Sequence, residues 1–224
     1  MQQTVKILSI SKITHNVRRY ELEKPAGYSY EPGQATELSL DEDGWRDKKH
    51  PFTFTSLTDA PTLEFTIKSY FATGGDGMTE RLFHYEPGQS LVLRESWGTI
   101  TYQGPGTFIA GGAGVTPFIA ILRDLARQGK LGGHQLIGSY RKAEDIILRN
   151  EFEAMPGLRT LWTVTDDAAA TGVEHARIDA DFLKAHITDF SQRFYLCGPD
   201  DMVKELRQTL EGLGAKTDSV TWEK

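Results

Sequence analysis

The stretch Gly111-Gly112-Ala113-Gly114-Val115-Thr116-Pro117 marks the point where the pattern of the chain changes. A short apolar run at 108–110 precedes it, and apolar residues at 118, 119, 121, 122 and 125 follow it with helical spacing. Pro117 suits the first turn of a helix, and Gly129 suits its C-terminal cap. The sequence therefore predicts a strand, a glycine-rich loop and a helix.

Downstream of this loop, strand-like and helix-like runs alternate. Strands are predicted at Gln135–Tyr140, Arg159–Thr165 and Arg193–Cys197. Asp179 precedes one further helix, and Pro199 opens another over 200–213. This alternation is typical of a doubly wound parallel α/β sheet with helices on both faces.

Upstream of the loop, the chain is a series of short strand-like runs separated by Pro-Gly and Asp-Gly turns. The predicted strands are Thr4–Ile13, Arg18–Glu23, Ala35–Leu40, Phe52–Leu57, Leu63–Tyr70 and Ser90–Glu95. Six such strands favour a small antiparallel β-barrel, interrupted by one helix with Thr79 as its N-cap. Because Gly104-Pro105-Gly106 resembles a hinge, we expect two domains, 1–103 and 104–224.

Composition excludes several classes of function. A net charge of -6 over 224 residues argues against general nucleic-acid binding. No run approaches the ~20 apolar residues of a membrane span, and residues 1–14 lack a signal-peptide pattern, so we expect a cytoplasmic protein. One cysteine permits neither an internal disulfide nor a four-thiolate cluster, and the six histidines lack metal-site spacing. Redox chemistry in this chain would therefore need an organic cofactor.

Two turns at the carboxyl ends of predicted parallel strands are candidate ligand sites. Gly112 and Gly114 allow a phosphate to approach the backbone at a helix N-terminus, and Thr116 offers a hydroxyl. Pro117 stands where the dinucleotide fingerprint has its third glycine, and a plain strand-to-helix turn is the alternative. The run Cys197-Gly198-Pro199 ends a strand at the same edge, although a lone cysteine is often only a small buried apolar residue.

A third segment, His50-Pro51-Phe52-Thr53-Phe54-Thr55-Ser56, lies in the first half. Phe52 is suited to pack against a flat heteroaromatic ligand while Thr53 hydrogen-bonds the ligand's polar edge. A simple core strand would have a similar sequence.

Taken in order, the three segments resemble the ferredoxin–NADP reductase family of flavoproteins. His50 and Phe52 stand at the arginine and tyrosine positions of the family's common Arg-x-Tyr-Ser/Thr signature. The form His-Pro-Phe-Thr is similar to that of the dehydrogenase domains of NADPH oxidases and ferric reductases. Gly75-Asp76-Gly77-Met78-Thr79 is similar to a second flavin-binding segment of those domains.

The resemblance implies that the first domain binds FAD. It places His50 near the flavin phosphates, as a weaker anchor than arginine because histidine is largely neutral at pH 7. It places Phe52 against the isoalloxazine ring and Thr53 near the reactive nitrogen. The remaining implied flavin-binding residues are Pro51, Ile67, Lys68, Ser69, Gly77, Met78 and Thr79.

The resemblance also implies that a nicotinamide nucleotide lies across Gly112–Pro117 and Cys197–Pro199, with Thr53 and Cys197 at the reacting centre. Ser139, Arg141 and Lys142 at the next strand end favour the 2′-phosphate of NADP, although NAD stays possible and a solvated basic turn is the alternative. Trp222 is a candidate cover for the flavin, and a core tryptophan is an equal alternative.

The implied activity is an NAD(P)H-dependent flavoprotein reductase that passes electrons singly to a ferredoxin or flavodoxin carrier. One alternative is the reductase subunit of a larger redox complex, such as an oxygenase or a ferric-reducing system. Another is a flavin-binding regulatory module without turnover. We expect a monomer with no nucleic-acid partner and no membrane span.

Overall fold

The computed structural model describes residues 2–71, 77–98 and 100–222. Its first half has six strands and a short helix. The strands are β1 (Gln3–Lys12), β2 (Val17–Glu23), β3 (Gln34–Leu40), β4 (His50–Thr53), β5 (Thr62–Lys68) and β6 (Ser90–Gly98), and the helix is α1 (Met78–Phe83). The strands form one antiparallel sheet in the order β4-β3-β6-β1-β2-β5.

The prediction of a barrel needs a correction, because the edge strands β4 and β5 meet at a single bridge instead of along a full ladder. Just beyond β4, Phe54 pairs with Phe65, and the Thr55 amide donates to the Glu64 carbonyl at 2.8 Å. The ladder then stops, since the Ser56 hydroxyl accepts the Glu64 amide at 2.8 Å in place of a backbone carbonyl. The six-stranded antiparallel prediction is confirmed, and a closed barrel is not.

The second half is a parallel sheet, as predicted, but it has five strands where the sequence indicated four. Its strands are β7 (Gly106–Gly111), β8 (His134–Tyr140), β9 (Leu158–Val164), β10 (Arg193–Cys197) and β11 (Val220–Trp222), in the order β11-β10-β7-β8-β9. Its helices are α2 (Thr116–Arg127), α3 (Arg149–Glu153), α4 (Ala180–His186) and α5 (Asp200–Gly212).

Alternate residues of β7 pack against helices on opposite faces of the sheet, which confirms the doubly wound arrangement. Phe108 belongs to a core cluster with Phe118 of α2. Its neighbour Ile109 belongs to a separate cluster with Leu183 of α4 and Leu206 of α5. Each face of the sheet is therefore buried by its own helices.

Helix starts were predicted with mixed success. Asp179 caps α4 as predicted, its carboxylate accepting the Phe182 amide at 2.9 Å. Thr79 is not the cap of α1, because the helix begins at Met78, two residues earlier than predicted, and Gly77 occupies the N-cap position. The Thr79 hydroxyl accepts the Tyr70 amide at 3.4 Å instead.

The segment between β6 and β7, where the domain boundary was predicted, is held by a buried aromatic cluster. The Tyr195 hydroxyl donates to the Gly104 carbonyl at 2.8 Å and accepts the Gln103 amide at 2.9 Å. Beside it, His134 is buried, with Nε2 2.9 Å from the Tyr102 hydroxyl and Nδ1 3.1 Å from the Leu131 carbonyl. Burial lowers the pKa of His134.

A short segment that contains Glu174, here called the Glu174 segment, covers the outer edge of β9. The Val164 amide donates to the Glu174 carbonyl at 2.9 Å, and the Glu174 amide donates to the Trp162 carbonyl at 2.8 Å. Among the helices in the described ranges, none combines the length and apolar character that crossing a bilayer requires.

Candidate functional site

The strand order creates a crevice at one edge of the parallel sheet. The chain runs outward from β7 through β8 and β9, then returns to place β10 on the other side of β7. Cys197 at the end of β10 pairs with Ala110 at the end of β7. Ligands of doubly wound sheets bind at such a reversal, outside the carboxyl ends of the strands.

A cleft of about 730 Å³ lies at this crevice, and residues from both halves of the chain line it. The lining residues of the first half are Pro51, Phe52, Thr53, Thr66, Ile67, Lys68, Tyr70 and Thr79. Those of the second half include Gly111, Gly112, Ala113, Gly114, Thr116, Ser139, Tyr140, Arg141, Asp145, Thr165, Cys197, Gly198, Pro199 and Met202. The three segments singled out in the sequence therefore contribute to one site.

Strand β4 supplies one wall of the cleft. Phe52 is half-buried against the core of the first half, and Thr53 is 7% exposed. Pro51 lines the cleft, whereas His50 is exposed at the start of β4 opposite Leu38 and lies outside the lining. Phe52 and Thr53, which were predicted to contact a ligand, line the cleft, whereas His50, the predicted phosphate anchor, does not.

The second predicted flavin-binding segment is only partly at the cleft. Thr79 lines it, but Met78 is buried in the core of the first half, and Gly77 is not part of the lining. Ser69 is buried, with its hydroxyl donating to the Thr79 carbonyl at 2.9 Å, so it braces α1. Gly75 and Asp76 lie outside the described residues.

Lys68 brings a positive charge from the first half to the glycine-rich loop. A Cβ atom added to Gly112 would lie 3.9 Å from the Lys68 ammonium, and the same ammonium is 5.6 Å from the centroid of the Tyr70 ring. An ammonium beside backbone amides is a typical environment for phosphate.

The glycines of the loop have two different roles. Gly112 has φ +54°, and apart from the Lys68 ammonium its missing side chain leaves open space, so the backbone is accessible to a ligand. A Cβ on Gly114 would lie 2.3 Å from the Cys197 carbonyl oxygen. A glycine is therefore required at position 114 so that the glycine-rich loop can pack against the Cys197 turn. This glycine was predicted instead to allow the approach of a phosphate. Thr116 lines the cleft, whereas Pro117 is buried in α2.

The end of β8 has charges that were predicted and one that was not. Arg141 lines the cleft, and its Nε donates to Asp166 Oδ2 at 3.0 Å, while the Asp166 amide donates to the Arg141 carbonyl at 2.8 Å. Sequence reasoning found no acid at this strand end, because Asp166 comes from the end of the neighbouring strand β9.

Tyr140 is a lining residue that sequence reasoning missed. Its hydroxyl is buried and has no hydrogen-bond partner of normal geometry in the described part of the chain. Burial raises the pKa of this hydroxyl, and a weak interaction with the Ile147 backbone offsets part of the effect. An unsatisfied buried hydroxyl at a cleft wall is consistent with a polar ligand at this position.

Trp222 is not brought to the cleft. It pairs with Leu196 in the outer strand β11, and its ring lies 3.5 Å from the guanidinium carbon of Arg207 on α5. It packs against the core cluster beneath α4 and α5, which matches the alternative of a core tryptophan.

Other missed lining residues follow a simple pattern. Thr66, Lys68 and Tyr70 alternate along β5 and its continuation, so a strand periodicity of two would have added Thr66 and Tyr70 to Lys68. Two further missed lining residues do not follow this pattern: Thr165 directly follows β9, and Met202 lies in the first turn of α5.

The described residues fit a flavin and a nicotinamide dinucleotide. The cleft combines a half-buried aromatic ring, a buried threonine, an ammonium beside an open glycine turn, and an unsatisfied hydroxyl. The aromatic ring suits a planar ring of a ligand. The ammonium beside the open glycine turn suits a phosphate, and the threonine and the unsatisfied hydroxyl suit polar atoms of a ligand.

Comparisons with known proteins agree with this assignment. Residues 108–208 match the family described as the oxidoreductase NAD-binding domain. The chain is 25% identical over 224 residues to the ferredoxin–NAD(P)+ reductase component of the naphthalene 1,2-dioxygenase system of Pseudomonas putida, covering 96% of this chain and 66% of that protein. It is 26% identical over 216 residues to the reductase component of propane 2-monooxygenase from Rhodococcus jostii, covering 90% of this chain and 57% of that protein. The chain therefore spans about two thirds or less of the length of these curated relatives.

The fold is shared with a solved structure of a ferredoxin NADP+ reductase from Neisseria gonorrhoeae with bound FAD and NADP. The TM-score is 0.84 at 24% sequence identity, and the match covers 99% of this chain and 98% of that one. The order of the sheets, the cleft between them and these similarities agree: the second half of the chain matches an oxidoreductase NAD-binding domain, and the whole chain is similar in sequence to flavoprotein reductase components and shares the fold of a ferredoxin NADP+ reductase.

Proposed function

We propose that this chain takes a hydride from NAD(P)H onto bound FAD and passes the electrons singly to a separate acceptor. The observation that carries the proposal is the single cleft, which joins the Phe52–Thr53 wall to the loops at Gly112 and Cys197. When bound, the flavin supplies a ring that can accept two electrons together and release them one at a time.

On the flavin side, Phe52 would provide a stacking surface for the ring system, and the Thr53 hydroxyl would hydrogen-bond its polar edge. Both act as fixed surfaces, since Thr53 is buried and Phe52 packs against the core. Lys68 neutralises phosphate charge beside Gly112.

On the nucleotide side, the open turn at Gly112 and the hydroxyl of Thr116 bind phosphate, and Cys197 with Gly198 and Pro199 forms the surface for the nicotinamide ring. Hydride transfer between two rings depends on alignment rather than on acid–base catalysis. Thr53 and Cys197 are accordingly the protein groups that border the reacting atoms.

The choice of nucleotide depends on the end of β8. Arg141 and Ser139 line the cleft, which supports NADPH as the donor. A 2′-phosphate must compete with Asp166 for the guanidinium, which keeps NADH as an alternative donor.

The acceptor is proposed to be a ferredoxin or flavodoxin, with the chain acting as a cytoplasmic monomer. A reductase component of a larger oxygenase is the second candidate, favoured by relatives that are components of a naphthalene dioxygenase system and of propane 2-monooxygenase. The His50-Pro51-Phe52-Thr53 form of the flavin segment supports a ferric-reducing system as a variant of that candidate.

A stopped-flow experiment tests the proposal. Purified protein reconstituted with FAD is mixed with NADPH and, separately, with NADH, and the visible absorbance of the flavin is followed. We expect rapid bleaching with at least one nucleotide. Persistence of the oxidised spectrum with both would contradict the proposal and favour a flavin-binding module without turnover.

A further inference from the structure

A partly buried cluster of ion pairs joins the two halves of the molecule near the cleft. At its centre is Arg123 of α2, whose side chain is 16% exposed. Its Nε and Nη2 donate to the two carboxylate oxygens of Glu151, at 2.5 and 3.0 Å. Its Nη1 donates to Glu64 Oε1 at 2.6 Å and to the Thr55 carbonyl at 2.7 Å. One guanidinium therefore contacts α3 of the second half and two segments of the first half.

The cluster is balanced in charge. Arg19 of β2 lies 3.5 Å from Glu64 and 3.6 Å from Glu151, so two arginines face two carboxylates. The Thr55 hydroxyl donates to the same Glu64 oxygen at 2.6 Å. Burying such charges costs solvation energy, so the cluster is weak evidence of stability, and its directional bonds better explain an effect on geometry.

The position of the cluster links it to the cleft from both sides. Arg123 lies on the helix that begins at Thr116, directly after the glycine-rich loop, and seven residues of helix span about 10 Å. Thr55 follows Thr53 by two residues in a buried, extended segment. The guanidinium thus ties the nucleotide-facing helix to the flavin-facing strand.

We propose that Arg123 is a positioning residue that sets the separation between the nicotinamide-binding loop and the flavin-binding strand. This role rests on the proposed hydride transfer. Hydride transfer needs the reacting atoms about 3–3.5 Å apart, and a displacement of about 1 Å can cost roughly 100-fold in rate. Substitutions that preserve the charge but remove the fork of donors should therefore slow transfer without abolishing the binding of either cofactor.

The test compares Arg123→Lys with Arg127→Lys. Arg127 also pairs across the two halves, with both Asp59 oxygens at 2.7 Å, but these side chains are 45% and 69% exposed, so that pair is screened by solvent. Stopped-flow measurements give the flavin reduction rate constant at saturating nucleotide and the nucleotide dissociation constant. A deuterated nicotinamide confirms that hydride transfer is the step observed.

We expect Arg123→Lys to lower the limiting rate constant by about 10- to 100-fold, with less than about threefold change in the dissociation constants of nucleotide and FAD. Arg127→Lys should match the wild type. A second readout is independent of turnover: spin labels at Glu86→Cys and Glu211→Cys should report a broader distance distribution in Arg123→Lys than in the parent double variant.

Wild-type rates in Arg123→Lys, or a loss of rate that merely follows loss of FAD, would overturn the inference. If Arg123→Lys does not fold, Glu151→Gln removes charge from the same fork and carries the same expectation. Failure of the wild type to be reduced by either nucleotide would refute the proposed function instead, and the spin-label distances would still test whether Arg123 fixes the two halves.

Discussion

At the scale of single residues, the structure separates the groups that line the cleft from those that only support it. Phe52 and Thr53 line it, whereas Ser69, Met78 and Pro117 are buried behind it. This distinction follows from side-chain direction within each element, which a motif does not specify. Replacing a residue that lines the cleft should therefore change the affinity for ligands more than it changes the stability of the fold.

Replacing Phe52 with alanine should weaken FAD binding by about 5- to 150-fold, because a stacking surface for the flavin ring is lost and such contacts contribute about 1–3 kcal/mol. Flavin fluorescence during titration of the apoprotein measures the dissociation constant. Trp97→Ala provides a control, since Trp97 is 40% exposed and lies outside the cleft lining. Equal affinity in both variants would contradict the assignment of Phe52.

The ion pair at the end of β8 leads to a test of nucleotide choice. Arg141→Ala should raise the Michaelis constant for NADPH at least tenfold while that for NADH changes little, because only NADPH has a 2′-phosphate. Asp166→Asn should act in the opposite direction and lower the constant for NADPH, since the guanidinium loses its competing carboxylate. Equal effects on both nucleotides would rule out Arg141 as the specificity residue.

At the scale of elements, the glycine-rich loop and the Cys197 turn form one packed unit. Their backbones approach so closely at Gly114 that no side chain fits. The helix α2 starts from this unit, so the unit determines where the amides at the helix start are directed.

Gly114→Ala should destabilise the protein by about 1–3 kcal/mol, because the added methyl group meets backbone atoms that cannot move aside cheaply. Urea unfolding measures the change in free energy. Gly132→Ala is the matched control, since a Cβ atom there would meet nothing within 4 Å. A loss of the same size in both variants would show that the close approach at Gly114 is not the cause.

The elements were largely predictable because their periodicities are strong. The alternating apolar residues of β1 to β6 indicate the first sheet. The helical spacing in α2, between two strand-like runs, indicates the alternation of strands and helices that is typical of the second sheet. The three-residue β11 and the five-residue α3 were missed, because so few residues give no periodic signal. The ion pairs at Arg123 could not be predicted from the sequence either. Arg123 and Glu64 are 59 positions apart, and only the tertiary structure brings them together.

At the scale of the whole molecule, the site exists only because residues of both sheets line the same cleft. The three segments found in the sequence lie 50 or more residues apart, yet all line one cleft. The buried aromatic cluster between β6 and β7 and the ion cluster at Arg123 connect the halves at different places. Overall stability should therefore respond to groups far from the cleft.

His134 gives a pH test of that stability. Burial lowers its pKa below the ordinary 6.5, so the unfolded chain binds a proton more readily than the folded chain. The contribution of the neutral His134 to the free energy of unfolding should be fully present above about pH 6.5. It should decline as the pH falls towards the folded-state pKa, by at most about 1.4 kcal/mol per pH unit for one proton.

Urea unfolding at several pH values between 5 and 8 measures this contribution, with the variant His134→Gln as the reference because glutamine does not titrate. The difference in unfolding free energy between wild type and variant should shrink as the pH falls. A difference that is constant across this range would exclude His134 as the titrating group.

The backbone pairing of Glu174 with β9 has a consequence for the behaviour of the protein at high concentration. An uncovered parallel edge offers a row of amides and carbonyls that can recruit a strand from another copy and begin aggregation. Here the Glu174 segment takes up hydrogen bonds of Trp162 and Val164 on that side. At the opposite edge, β11 is three residues long, which leaves little backbone for a foreign strand to extend. The sheet is thus shielded on one side and short on the other, an arrangement that discourages the growth of fibrils.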